Sequence, residues 1–379
     1  MQGLRLLVLV AVASSASAQT IANPRARDLG VPFDGTPGVF NAITDVPGVL
    51  VGHTTLVSGD GPRAVRTGVT AILPRRELGY YPASTYVLNG DAELSGAIFA
   101  EEFGLLRSPI MLTGTASNGT VYTSVIKWSA RRFPKNPVYM PVVADTWDAD
   151  VSDYLSFPLH EDHVFAALDG AGAGHVPEGN VGGGTGMMCH GFKCGIGTAS
   201  RVLGAEQGGF VVGVLVQANY GRREELRVAG VPVGREITTF RPEFHDEGQG
   251  EPEAGGSVLV VVATNAPVSP LTLKAMARRA TLGLARNGAT ATPGSGDVVI
   301  AFATTPITVE SEPPHRVRGE TLYPYATEPL YQATIQATEE AVINALVAGR
   351  TMTGRNGSRV YGIPHRALRE ALQKYGRLR

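Results

Sequence analysis

Apolar residues in this chain fall into short runs separated by glycine and proline, a spacing that predicts many short strands interleaved with a few helices. The strongest run, 258–264 (VLVVVAT), is continuous and too short for an ordinary helix, so it reads as a strand buried on both faces. Runs at 209–216 (GFVVGVLV), 68–73 (GVTAIL), 85–88, 140–144 (MPVVA) and 298–303 read as further strands. Residues 25–55 are rich in turn formers and then space Val46, Val49 and Val51 as a strand would. Helical spacing marks 91–106 through Leu94, Ile98, Phe99 and Phe103, and 121–133 through Val121, Val125 and Trp128, with Ser117 as its N-cap. Ser269-Pro270 opens a helix over 271–286, whose inner stripe is Leu273, Met276, Ala277, Ala280 and Leu284. Two amphipathic helices, 329–348 and 364–375, are expected to cover a sheet face. The strand-helix-strand unit over 257–303 predicts parallel neighbours, which would put Ser257 and Asp297 at one sheet edge.

Composition narrows this picture. Forty-seven glycines and 25 prolines without a period indicate tight turns, not disorder. The formal charge of −1, with no basic stripe, argues against nucleic acid as a partner. Residues 1–18 have the anatomy of a removed signal peptide: Arg5, an apolar stretch over 6–13, and Ala16-Ser17-Ala18 before Gln19. The mature chain is therefore expected to be exported, to a bacterial periplasm or beyond, with no membrane span after the leader. Cys189 and Cys194 are expected as two buried thiols, since a bridge between them would close only a small loop. The sequence HEDH at 160–163 lacks a further ligand cluster and reads as an exposed turn, so neither a metal nor a cofactor is predicted. The glycine-rich run 179–197 fits no phosphate-binding pattern and is read as a hairpin whose backbone approaches another segment closely.

Candidate chemistry centres on Ser257. An acidic, glycine-containing run, 245–256, stops at Gly256, and the serine opens the central strand. Glycine there permits strained backbone, and the hydroxyl could attack its own preceding peptide. Cleavage would expose an α-amino group, with an ordinary pKa of roughly 8, as local base for the hydroxyl. The plain alternative is a loop entering a strand. Asn219, just past the 209–216 run, is either a turn former or an oxyanion donor. Asp145 and Trp147, at the end of the 140–144 strand, either contact a ligand or cap and plug that end.

The stretches RARDLG (25–30), NAITDVPGVLVGHTT (41–55), NVGGGTGM (180–187), GIGTASR (195–201), GGS (255–257), SGD (295–297) and ATEEAVINAL (337–346) together resemble one family. It is that of the L-aminopeptidase/D-esterase (DmpA) and the β-peptidyl aminopeptidases, and the likeness runs from about Arg25 to the C-terminus. The resemblance implies a four-layer αββα sandwich similar to N-terminal-nucleophile hydrolases, made as one precursor and self-cleaved between Gly256 and Ser257 into 19–256 and 257–379. It further implies Ser257 as nucleophile, Asn219 in the oxyanion hole, and Ser295 with Asp297 polarising the surroundings of the nucleophile. VVADTWD stands where the family resembles VVAETYD, which places Asp145 and Trp147 by the substrate amine. A small peptide or amino-acid amide is the implied substrate, and a homo-oligomer of processed heterodimers the implied assembly. Two other readings compete: an acyltransferase of the ornithine acetyltransferase type, against which the serine and the leader argue, and an unprocessed binding protein of the same fold.

Overall fold

The computed structural model describes residues 23–245, 256–305, 307–310 and 312–378, so the expected leader at 1–18 and the linker residues 246–255 lie outside the described residues. The elements that matter below begin with β1 (Leu50–Ser58), β2 (Val65–Leu73), β3 (Tyr81–Gly90), α1 (Ala97–Phe103), β4 (Leu105–Leu106), β5 (Ile110–Gly114), α2 (Asn118–Arg132), β6 (Val142–Thr146) and α3 (Glu161–Asp169). They continue with β7 (Met188–Cys189), β8 (Phe192–Lys193), β9 (Ile196–Val202), β10 (Val211–Asn219), α4 (Val233–Glu236), β11 (Ser257–Thr264), α5 (Pro270–Arg286), β12 (Gly296–Ala303), α6 (Glu328–Ala348) and α7 (His365–Lys374).

A six-stranded sheet, in the order β4-β3-β12-β11-β10-β9, stacks on a four-stranded sheet, β1-β2-β5-β6. Period-two alternation explains the stacking. Val258, Val260 and Val262 of β11 pack with Leu273, Met276 and Ala280 of α5 and with Leu330, Ala337 and Ala341 of α6. Leu259, Val261 and Ala263 turn the other way, against Ile72, Leu112 and Ala144 of the smaller sheet. That sheet's outer face carries Val69, Ala71, Met111 and Val143, which are covered by Val121 and Val125 of α2 and Val164 and Leu168 of α3. Three apolar seams thus hold four layers, αββα, and the uninterrupted apolar run in β11 is what a strand with no solvent face requires. As expected from the strand-helix-strand unit, β11 and β12 are parallel, with Val258 opposite Asp297.

The sequence-based boundaries need four adjustments. The helix expected over 91–106 is confined to α1, because Ser95 N–H bonds the Val143 carbonyl at 2.9 Å and Gly96 caps the helix at φ +74. His160 to His163 form the start of α3 and not a free turn; His163 Nδ1 accepts the His160 N–H at 3.0 Å. Helix α6 is not amphipathic over its second half, since residues 340–347 are all buried. Cys189 and Cys194, expected as thiols, form a disulfide: the β7-β8 hairpin brings their Cα atoms to 5.4 Å, within bridging range.

Where α6 meets β9 and the N-terminal segment lies an ion cluster. Glu340 is fully buried and receives Arg27 Nε at 2.7 Å, an Arg201 guanidinium nitrogen at 2.7 Å and the Asn41 amide at 2.6 Å. Burial alone would raise its pKa, but the hydrogen bonds and the two guanidiniums outweigh burial and hold it below the ordinary glutamate value. Removing one member of such a cluster strands the others without charge compensation. Glu340→Ala is therefore expected to destabilise the fold by about 3–5 kcal/mol, read as a lowered midpoint in chemical unfolding.

Candidate active site

Asn219 ends β10, Ser257 begins β11, and the antiparallel register pairs the two residues directly. Ser257 shares parity with Leu259 and Asn219 with Leu215, so both side chains face the smaller sheet. Asn219 Oδ1 accepts the Met188 N–H of β7 at 2.8 Å. A backbone N–H can only donate, so this bond fixes the amide: the oxygen is held by the hairpin and the NH₂ group is left for the pocket that Asn219 lines. Ser257 Oγ is buried, accepts the Gly296 N–H at 3.2 Å and donates to the Asp91 carbonyl at 3.4 Å.

Gly256 has φ +115, and a Cβ there would collide with the Asn219 carbonyl oxygen. Both the backbone angle and the lack of space restrict this position to glycine. At the head of β12, Ser295 Oγ donates to Asp297 Oδ1 at 2.8 Å, and the Val258 N–H also bonds this carboxylate. Burial raises the Asp297 pKa, with those two hydrogen bonds pulling the other way. The Ser295 and Asp297 side chains lie behind the pocket wall, and the intervening Gly296 N–H makes this segment's contact with Ser257.

The pocket is about 1070 Å³, and Asp145, Trp147, Asn219, Gly256 and Ser257 all line it. Its size suits a short peptide. Asp145 lies within β6, one residue before its end, and its Oδ1 accepts from Asn118 Nδ2 at 2.7 Å and from the Glu93 N–H at 3.3 Å. Burial raises its pKa, partly offset by bonds from Thr115 and Glu93. Trp147 is half-exposed; its indole N–H donates to Asp150 at 3.3 Å and its ring leans on Tyr154. Among the described residues, no group of three or more His, Cys, Asp or Glu side chains is placed to hold a metal ion.

Three contributors were not singled out from the sequence. Asp91, expected in a helix, lines the pocket and offers its carbonyl to Ser257. Met188 holds Asn219 with a backbone group, which leaves no side-chain signature. Gln217 reaches across the sheets, its Nε2 donating to the Thr113 carbonyl at 3.0 Å and to Thr146 Oγ1 at 2.8 Å. It thereby fixes the strand bearing Asn219 against the strand bearing Asp145. Its signal was a lone polar residue at the end of an apolar run.

The sequence matches Peptidase family S58 over residues 41–360. The chain belongs to peptidase family S58. It is 46% identical over 383 residues to a beta-peptidyl aminopeptidase, BapA, of Sphingosinicella xenopeptidilytica, covering 96% of this chain and 94% of that protein. A BapA from Sphingosinicella microcystinivorans is 43% identical over 392 residues, covering 100% and 99%. Among solved structures, a Burkholderia sp. beta-aminopeptidase matches with TM-score 0.84 at 42% identity, over 93% of this chain and 99% of that one. The L-aminopeptidase D-Ala-esterase/amidase of Ochrobactrum anthropi, described as a prototype of the serine aminopeptidases and a variant of the Ntn hydrolase fold, matches with TM-score 0.85 at 39% identity, over 94% and 100%. This chain is accordingly a serine aminopeptidase with the αββα fold of that class.

Beside the enzyme's pocket, Asp148 carries the site's most displaced carboxyl. It is buried, accepts Thr67 Oγ1 at 2.5 Å, and sits so close to Gly114 that a Cβ there would strike its carboxylate. Burial, only partly offset by the Thr67 bond, pushes its pKa up to about 6. The folded state therefore keeps a proton that the unfolded chain releases near pH 4, so this group's contribution falls as pH rises from about 4 to 6 and is constant above. An amide in place of the carboxyl has no such proton to lose. Between pH 4 and pH 7, Asp148→Asn is expected to gain stability relative to wild type by on the order of 3 kcal/mol, at 1.36 kcal/mol per pKa unit, measured by urea unfolding at the two pH values.

Proposed function

We propose that this aminopeptidase is exported, cuts itself between Gly256 and Ser257, and then removes N-terminal residues from short peptides, amino-acid amides or esters through an acyl-enzyme on Ser257. The observation that carries this reading is the Asn219–Ser257 register pair, directly behind a glycine that no other residue can replace without strain. Export rests on the leader-like residues 1–18.

In self-processing, Ser257 Oγ adds to the Gly256 carbonyl carbon, and the C–N bond breaks as nitrogen takes a proton, leaving an ester. Water hydrolyses that ester to a Gly256 carboxylate and a Ser257 bearing both hydroxyl and free amine. In catalysis that amine accepts the hydroxyl proton as Oγ adds to the substrate carbonyl, and the Asn219 NH₂ donates to the resulting oxyanion. Collapse expels the amine product with the proton, and water releases the acid by the same route. Ser295 and Asp297 position this centre, holding the head of β12 so that the Gly296 N–H meets Ser257. Asp145, with Trp147 beside it, receives the substrate ammonium. Relatives at 46% and 43% identity are named beta-peptidyl aminopeptidases, so β-alanyl amides stand beside L-alanyl amides as first substrates. The assembly we expect is a homo-oligomer of processed heterodimers.

Two outcomes test this reading. Purified wild-type protein should run as two fragments on a denaturing gel, the smaller starting at Ser257 by N-terminal sequencing, whereas Ser257→Ala stays as one band; an intact wild type that still turns over amides would refute the mechanism. Asn219→Ala should keep its circular dichroism yet lose about 10²-fold in kcat on an amino-acid p-nitroanilide, the usual effect of deleting one oxyanion donor.

A further inference from the structure

The pocket is electrically polarised across the serine. Asp91, Glu93, Asp145 and Asp150 line the part built by the end of β6 and the segments after β3 and β6, whereas Arg222, Arg223 and Arg241, with Glu224 as the one acid among the described residues, line the part built beyond β10. The cations on this second wall differ in their commitments. Arg241 pairs with Glu224 at 2.5 Å. Arg223 is buried and donates to the carbonyls of His190, Ile237 and Thr239 at 2.9, 3.1 and 3.0 Å. Arg222 is exposed, and among the described residues its guanidinium has no hydrogen-bond or ion-pair partner.

The backbone of Arg222 is nonetheless fixed. It follows Gly221 at φ +86, its N–H bonds Glu225 Oε2 at 3.3 Å, and its carbonyl accepts from the buried ring of His190 at 3.1 Å. A long cationic side chain therefore swings from an anchored point three residues beyond Asn219, and in the strand order β3-β12-β11-β10 the head of β11 lies between this segment and the one carrying Asp91 and Glu93.

We propose that Arg222 is a specificity-determining residue that receives the C-terminal carboxylate of the substrate, so that the preferred class is the free dipeptide or tripeptide, zwitterionic at both ends. This rests on the aminopeptidase reading and adds the polarity of its substrate. The acidic wall takes the ammonium, the guanidinium takes the carboxylate, and the scissile carbonyl is left between them at Ser257 and Asn219. An arginine suits this task because its planar fork matches a carboxylate.

The test compares alanyl-alanine with alanyl-alaninamide, in L-alanyl and β-alanyl forms, for wild type, Arg222→Met and Arg222→Glu. The amide changes the leaving amine as well as the charge, so the quantity read is the acid-to-amide ratio of kcat/KM in wild type divided by that in each variant, which cancels the leaving-group effect. The expected quotient is about threefold to fivefold for Arg222→Met, the upper range for a solvent-exposed ion pair, larger for Arg222→Glu, and shrinking with added salt. A quotient of one in both variants overturns this inference alone. Failure of the wild type to cleave any of the four substrates overturns the proposed short-peptide and amide substrates together with it.

Discussion

The pairing of Asn219 with Ser257 is the constraint from which the rest of the centre follows. Because the two residues are opposite each other in an antiparallel ladder, the distance between a hydroxyl and an amide is set by strand spacing and not by side-chain freedom. The neighbouring ladder is parallel and sets Val258 against Asp297, which brings the Gly296 N–H to the same hydroxyl from the other side. One strand thus receives a polar group from each neighbour. Burial of β11 on both faces makes this arrangement rigid, since a one-residue slip would turn every valine and leucine toward the wrong layer.

The two sheets divide the work. The six-stranded sheet holds Ser257 and Asn219, and the smaller one presents Asp145, so the pocket lies where the ends of both sheets meet. Such a site needs the sheets locked against each other. Gln217 does this with two hydrogen bonds across the seam, and the disulfide-closed β7-β8 hairpin does it for Asn219 through Met188. Stretches that carry the family resemblance serve the same end at a distance. Arg27 of RARDLG, Asn41 of NAITD, Arg201 of GIGTASR and Glu340 of ATEEAVINAL meet in one buried cluster behind α6. Their charges are spent on fixing the helix that packs against β9 and β10.

Much of this was legible from the sequence because a strand buried on both faces announces itself. The apolar run after Gly256-Ser257 gave the position of β11, and the Ser269-Pro270 signal gave α5, whose N-cap bond from Thr272 N–H to Ser269 Oγ is present at 3.3 Å. Parallel return to β12 then put Asp297 beside the strand head. What was not legible depended on partners far away in the chain. Cysteines five residues apart gave no sign that their hairpin would bring them within bridging distance. The 91–106 segment has helical spacing throughout, but its first turn pairs with β6 and contributes Asp91 and Glu93 to the pocket instead. Local periodicity cannot register a competing tertiary hydrogen bond.

The raised carboxyls near the pocket share one physical origin. Burial between the two sheets raises Asp145, Asp148 and Asp297 above ordinary carboxylate values. The fold answers differently at each position. Asp297 is bonded by Ser295 and Val258, and Asp145 by donors from Asn118, Thr115 and Glu93, so both keep partners that favour the ionised form. Asp148 has chiefly Thr67 and glycine backbone around it and carries the largest displacement. Around Asp145 the donors offset part of the burial that favours its neutral form, which is what the proposed capture of a substrate ammonium asks of a carboxylate at this position.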